Sequence, residues 1–303
     1  MSLNTNLHNA KNVKNDEFYT KFSDIENELE HYKSYFKGKI IYCNCDDPRT
    51  SEFWRYFHLN FHKFSICKLL STYYDRYHFT YKFEYTGGCD EDINDCVKTS
   101  LKTTGDFRNQ DCIRILKESD IVVTNPPFSL FRDFISMLMT YNKKFIIIGS
   151  KNSITYKEIF TLFKDNKIWL GYNSVHEFKQ PDNTFKKFGN IGWYTNLKIN
   201  RKNDKLVLFE RYYDDNGTPL PESRIKYPKY DNYDAINVDR LSDIPCDYFG
   251  VIGVPITFME HYNPSDFNII GTDYEYAKPV VLDNGKTGNG RFYLTRERES
   301  PIV

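Results

Sequence analysis

Long apolar runs are missing from this chain of 303 residues. No stretch approaches the roughly 20 apolar residues that cross a bilayer, and no charged-then-apolar start reads as a secretory signal. A cytoplasmic protein without a membrane partner is the expectation. Net charge is missing too, with 41 basic and 41 acidic side chains, which argues against a uniformly basic nucleic-acid binder. Cysteine is sparse: seven residues, at 43, 45, 67, 89, 96, 112 and 246, make an odd count without zinc-finger spacing. Cys43 and Cys45 have no His/Cys pair nearby to complete a tetrahedral site, so no metal is expected, and the thiols read as buried groups in a reducing compartment. No Gly-x-Ser-x-Gly turn is present, which removes the nucleophile elbow of α/β-hydrolases. The length fits one large domain or a core with a smaller addition.

What is present centres on Ile121-Val122-Val123-Thr124-Asn125-Pro126-Pro127-Phe128. The β-branched run reads as a buried parallel strand. Pro127 biases Pro126 towards an extended conformation, and neither proline donates a backbone hydrogen bond. The strand therefore ends on a rigid ledge, at the carboxyl end where open α/β sheets place ligands. The ledge offers two acceptors, the Asn125 side-chain oxygen and the Pro126 carbonyl, beside the aromatic plane of Phe128. That arrangement suits an exocyclic amino group on a flat ring. Gripping its two hydrogens favours a pyramidal nitrogen and raises its electron density, which stabilises charge where it changes during attack. Phe128 would stack on the base, worth roughly 1–3 kcal/mol. A Pro-Pro turn after a strand is the plain alternative.

The motif Asn125-Pro126-Pro127-Phe128 resembles the catalytic motif of methyltransferases acting on adenine N6 or cytosine N4. Further blocks make the chain similar to the EcoRI-type adenine-specific modification methylases: residues 16–20 (DEFYT), 42–48 (YCNCDDP), 105–108 (GDFR), 152–158 (NSITYKE), 227–238 (YPKYDNYDAINV) and 253–258 (GVPITF). They span nearly the whole chain in order. The resemblance implies an α/β fold, a Rossmann-like S-adenosylmethionine-dependent methyltransferase sheet with a small C-terminal β-rich target-recognition region. Residues 1–200 would form the catalytic domain and 201–303 the target-recognition region. It also implies a type II modification enzyme that transfers a methyl group directly from S-adenosylmethionine to an adenine flipped out of double-stranded DNA. Such an enzyme is expected to work as a monomer, alongside a cognate restriction endonuclease that acts on the same site without binding it. GAATTC is the candidate recognition sequence on resemblance alone. The rival readings are a cytosine N4 methylase, a protein glutamine methylase and an inactive DNA-binding relative.

Taken in order, the first dozen residues read as disordered. Tyr19 and Thr20 either enter a helix or, as the resemblance implies, close over the methionine end of the cofactor. Ser23 and Glu26 have capping-box spacing, and Gly38 is placed to stop that helix. Residues 39–43 read as the first core strand and 44–48 as its exit loop. Methyltransferases of this fold usually place glycines there; this loop offers Asn44, Cys45, Asp46, Asp47 and Pro48, with Ser51 as a helix N-cap. Asp46 or Asp47 would take the cofactor's ribose hydroxyls or ammonium group, or simply start a turn. Residues 64–74 read as a second strand, with Asp75 late for a ribose carboxylate. Strict alternation predicts a strand over 77–85 with Tyr77, Phe79, Tyr81, Phe83 and Tyr85 on one face. Residues 97–102 read as a strand leading into Gly105-Asp106-Phe107. There the resemblance gives Asp106 to the cofactor's adenine amino group and Phe107 to its ring, although Asp106 also suits a helix cap. The cofactor set is thus Tyr19, Thr20, Asn44, Cys45, Asp46, Asp47, Asp106, Phe107 and Asn125.

Ser129 is expected to cap a helix to about residue 140, followed by a strand at 144–149, a helix at 153–165 and a strand at 167–171. This alternation predicts a doubly wound, mainly parallel sheet. Residues 173–190, with His176, Lys179, Lys186 and Lys187, read as an exposed loop placed for DNA, and 191–197 as the end of the sheet. Charge is distributed unevenly. Residues 143–202 hold twelve Lys/Arg against four Asp/Glu, a net of +8, whereas 203–303 hold eleven against seventeen, a net of −6. The basic stretch follows the ledge, where a phosphate backbone would lie. The acidic stretch is less suited to phosphates, yet base edges carry the sequence information.

Overall fold

A computed structural model describes residues 19–88, 95–180, 184–199, 206–220, 227–231, 233–273, 280–281, 287–288 and 290–296. The polar first dozen residues and positions 16–18 of the DEFYT block lie outside them. The chain divides into two compact units, 1–153 with 168–197 and 154–167 with 198–303.

The first unit runs β1 (Tyr19–Thr20), α1 (Phe22–Leu29), α2 (Lys33–Phe36), β2 (Ile40–Asn44), α3 (Glu52–Leu59), β3 (Lys68–Thr72), β4 (Tyr81–Tyr85), β5 (Val97–Ser100), α4 (Gln110–Glu118), β6 (Ile121–Thr124), α5 (Phe131–Thr140) and β7 (Lys144–Ser150). The hairpin β8 (Trp169–Lys179) and β9 (Phe185–Thr195) completes it. Its nine strands form one sheet of order β1-β8-β9-β7-β6-β2-β3-β4-β5. At its centre β3, β2, β6 and β7 are mutually parallel. Every residue of β6 is buried, as is the run from Phe145 to Gly149 in β7, the signature of strands covered on both faces. Helix α5 buries Phe131, Phe134, Ile135 and Leu138, a helical stripe at spacings of three and four. Helix α1 is fastened to β8 through the buried Glu28 carboxylate, which accepts from Tyr32 Oη at 2.9 Å, Tyr172 N at 2.9 Å and Asn173 N at 2.8 Å.

Several expectations are corrected. The sheet is mixed, because antiparallel strands flank the parallel centre on both sides. The alternation over 77–85 yields a strand only at Tyr81–Tyr85; Tyr77 and Phe79 are exposed, and Asp75 holds the preceding turn by accepting from Tyr77 N and His78 N. Pattern alone cannot form a strand where no neighbour offers a ladder. Strand β5 is an exposed edge strand paired antiparallel with β4, not a member of the parallel centre. Of the stretch 173–190 expected as a loop, residues 173–179 and 185–190 lie in the paired strands β8 and β9, residues 181–183 lie outside the described residues, and β9 inserts between β7 and β8. Ser23 lies within α1, whose N-cap residue is Lys21 without a side-chain cap bond. Ser129 sits in a 3-10 turn, and α5 starts after Leu130. Gly38 does end the helical segment, at φ +69°.

A 3-10 turn, Lys151–Thr155, precedes α6 (Lys157–Lys164) of the second unit, where the sequence predicts one helix over 153–165. Strands β10 (Lys229–Tyr230), β11 (Tyr233–Asn237), β12 (Val251–Pro255), β13 (Phe267–Thr272) and β16 (Arg291–Arg296) form a sheet of order β10-β11-β12-β16-β13. The pair β14 (Val280–Val281) and β15 (Thr287–Gly288) stands apart from it. Phe160 of α6 stacks on Phe292 of β16 at 5.5 Å. The two blocks 227–238 and 253–258 meet here: Asn237 pairs in parallel register with Gly253, and Tyr230 Oη donates to Asn237 Oδ1 at 2.8 Å.

Candidate active site

Register brings the site together. Asn44 pairs with Thr72 across β2 and β3, Thr124 pairs with Ile147 across β6 and β7, and Ile41 pairs with Ile121 between β2 and β6. The last residues of β2, β3 and β6 (Asn44, Thr72 and Thr124) therefore stand level while β7 runs on to Ser150, so the loops leaving β2 and β6 emerge next to each other. Asn125 and Phe128 are partly buried, Pro126 is buried and Pro127 partly so. Phe128 meets Phe178 of β8 edge-on at 6.1 Å between centroids. Phe178 is the register partner of Thr20 in β1. The hairpin thus carries Tyr19 and Thr20 to the ledge from a segment a hundred residues away in sequence. Thr20 is buried, and its hydroxyl has no hydrogen-bond partner among the described residues.

The β2 exit loop turns through Cys45 at φ +88°, a left-handed conformation held by a residue with a Cβ. A non-glycine residue thus stands in a backbone conformation that favours glycine. Asn44 is buried, and its Nδ2 has no hydrogen-bond partner among the described residues. Cys45 N and Asp46 N both donate to the Thr72 carbonyl, at 3.0 and 2.9 Å. Asp46 is buried: Ser51 Oγ lies 2.6 Å from Oδ1 and Thr124 Oγ1 lies 2.5 Å from Oδ2. Burial pushes its carboxyl up to about 7, against the smaller lowering effect of those hydroxyls. Asp47 differs, being a fifth exposed and paired with Arg49 Nη2 at 2.5 Å. Ser51 caps α3 as expected, accepting from Phe53 N at 3.1 Å and Trp54 N at 3.2 Å.

A third segment joins through Tyr73. The Arg49 guanidinium lies over the Tyr73 ring at 5.4 Å. Gly105, at φ +75°, passes so close that a Cβ would sit 2.0 Å from the Tyr73 carbonyl oxygen. Asp106 accepts from Arg108 Nε at 2.9 Å and Nη2 at 2.6 Å, and these bonds hold its carboxyl below the usual range. The N-cap residue of α4 is Asn109, so Asp106 is not the helix cap. Phe107 is buried edge-on against Phe134 at 5.0 Å.

The structure thus gathers the ledge, the 44–47 loop, Tyr19–Thr20 and the 105–107 turn around one end of the parallel strands. Sequence reasoning missed Thr72, Ser71, Thr124 and Phe178. For the first three a signal existed, since each is a hydroxyl at the end of an apolar strand. Phe178 gave none, because its place depends on the hairpin. Among the described residues no group of three or more His, Cys, Asp or Glu is placed to hold a metal, and no helix is long and apolar enough to cross a membrane. Burial pushes the Cys112 thiol up to about 11, beside Tyr42 and Thr72.

Over residues 6–291 the chain matches the family described as adenine-specific methyltransferase EcoRI. It is 43% identical to the type II methyltransferase M.EcoRI of Escherichia coli, over 96% of each chain. It is 37% identical to the type II methyltransferase M.MgeORF184P of Mycoplasma genitalium, over 93% of this chain and 90% of that one. Against the type II methyltransferase M.MpnI of Mycoplasma pneumoniae the identity is 36%, over 93% and 89%. No solved structure matches the chain.

Proposed function

The chain belongs to the EcoRI family of adenine-specific methyltransferases, and from that membership we propose how its residues carry out the reaction. The substrate is an adenine in double-stranded DNA, turned out of the helix onto the ledge. S-adenosylmethionine supplies a methyl group on a positively charged sulfur. Asn125 Oδ1 and the Pro126 carbonyl accept from the two hydrogens of adenine N6, Pro127 fixes the ledge, and Phe128 packs on the base. The observation that carries this reading is adjacency: the ledge leaves β6 beside the loop leaving β2, with their strands hydrogen-bonded in parallel. Positioning and polarisation are what such a transfer requires from the protein.

The groups around the strand ends fit the cofactor chemically. The Asp47 and Asp106 carboxylates suit its ribose hydroxyls and adenine amino group, and the partnerless Nδ2 of Asn44 and hydroxyl of Thr20 are buried polar atoms for which a ligand would provide partners. Cys45 contributes its turned backbone and Asp46 its place in the loop; Tyr19 borders the methionine end, and Phe107 supports the 105–107 turn. The first unit, a Rossmann-like sheet, would be the catalytic domain, and the β-rich second unit would read the DNA sequence. The hairpin β8–β9, with Lys179, Lys186 and Lys187, would follow the phosphates. The type II names of the relatives support a modification role in a restriction–modification pair, the enzyme acting as a monomer in the cytoplasm. Incubation with labelled S-adenosylmethionine and unmethylated duplex, then digestion to nucleosides, should place the label in N6-methyladenine. Label in N4-methylcytosine would change the base, and no label would reject the reaction.

A further inference from the structure

Thr124 is the residue immediately before Asn125, and its hydroxyl has two neighbours that normally accept. One is the main-chain carbonyl of Asn44 and the other is Oδ2 of Asp46 at 2.5 Å. A threonine hydroxyl has one proton to donate. The Asn44 carbonyl can only accept, so that proton belongs there. The remaining contact is then a hydrogen bond only if Asp46 Oδ2 carries a proton and donates it to Thr124 Oγ1. The rest of the network agrees with this count. Ser51 Oγ spends its lone pairs on Phe53 N and Trp54 N and donates its proton to Asp46 Oδ1, and Ser71 Oγ donates to the Asp46 main-chain carbonyl.

We infer that Asp46 works as a neutral carboxylic acid and, with Thr124, latches the β2 exit loop to the catalytic strand, so that these two positioning residues fix Asn125 relative to the cofactor loop. The inference rests on the reaction proposed above. It separates two adjacent carboxyl groups by role. Asp46 faces inward as a donor, whereas Asp47, partly exposed and held by Arg49, stays available to a ligand. Burial favours the neutral form of Asp46, and the negative charge of Asp47 acts in the same direction. The other titratable neighbours are the thiols of Cys43 and Cys45, which burial keeps protonated. From α3's cap and β6 come the hydroxyls of Ser51 and Thr124 on the carboxyl, from β3 that of Ser71 on the main-chain carbonyl, and among the described residues no cation acts on the carboxyl.

The test uses the full-length enzyme, measuring kcat on unmethylated duplex and, by calorimetry, the Kd for S-adenosylmethionine. Thr124→Val, which keeps the shape and removes the hydroxyl, should lower kcat by roughly ten- to a hundredfold with Kd changed less than about threefold, and Thr124→Ser should recover most of the loss. Asp46→Asn supplies a permanent donor to Thr124 and an acceptor to Ser51, so it should retain far more kcat and cofactor affinity than Asp46→Ala. Asp46→Asn losing cofactor binding as severely as Asp46→Ala would overturn the inference, because the charge itself would then be needed as a ligand. So would an unchanged kcat in Thr124→Val. Should Thr124→Val fail to fold, the Asn and Ala variants of Asp46 decide alone. A wild type that methylates no adenine rejects the underlying reaction instead, which keeps the two failures distinct.

Discussion

The two loops that meet at the strand ends are made rigid in different ways. The ledge after β6 is stiff because of its own residues: two successive prolines fix φ and remove two backbone donors within three positions. The loop after β2 contains no proline until Pro48, and it is held from outside. Thr72 accepts its amides, Ser51 and Thr124 bind Asp46, and Ser71 binds the Asp46 carbonyl. Its one local oddity, the left-handed Cys45, runs against residue preference. A loop stiffened by its own residues tolerates changes around it, whereas a loop held by neighbours depends on side chains brought in by three other segments.

That contrast can be broken first at the ledge. Asn125→Ala should lower kcat by about 10²–10³, the usual loss for one preorganised polar group, while leaving Kd for S-adenosylmethionine within a few-fold. A kcat within tenfold of wild type would remove Asn125 from the chemistry. Next comes the packing under the 105–107 turn. Phe107 is buried against Phe134, so Phe107→Ala should cost about 3–5 kcal/mol of stability in urea unfolding, and a cost near zero would place the ring outside the core. For the externally held loop, Ser51→Ala removes the α3 cap and one of the Asp46 partners together. It should cost about 1 kcal/mol from the cap alone, and a smaller loss would mean the hydroxyl is dispensable there. Cys45 offers the finest comparison. At φ +88° a Cβ is strained, so Cys45→Gly should be more stable than Cys45→Ala by roughly 1 kcal/mol; the opposite order would contradict the left-handed turn.

Stability should also follow pH through Asp46. The native carboxyl titrates at about 7 against an ordinary value of 3.8. Between those values the native state keeps a proton that the unfolded chain has released, so this group's contribution to stability is full below 3.8 and is lost as pH rises towards about 7. Melting temperatures of wild type and Asp46→Asn should therefore converge at low pH, and the wild type should fall relative to the variant as pH rises through that window. Parallel curves would mean an unperturbed carboxyl.

The same contrast explains what could be read from sequence. The ledge was legible because strand, prolines and aromatic ring are consecutive in the chain, and β2, β6, β7 and the Ser51 cap were legible from local runs. The long hairpin was not, because residues 173–179 and 185–190 alternate weakly and carry polar positions, and their strands are defined by pairing between β8 and β9. The alternation over 77–85 misled for the converse reason: Tyr77 and Phe79 fit a strand but stay exposed. The place of Thr20 beside Phe178, and the reach of the Thr124 hydroxyl in β6 to Asp46, depend on pairings some 80 to 160 residues apart, for which no local pattern exists.

The most direct test of the account is a nucleoside analysis of unmethylated duplex DNA treated with labelled S-adenosylmethionine, run in parallel for wild type and Asn125→Ala. The account predicts label in N6-methyladenine for the wild type and almost none for the variant, with cofactor still bound by both. Equal labelling by the two proteins, or label in any other nucleoside, would contradict it.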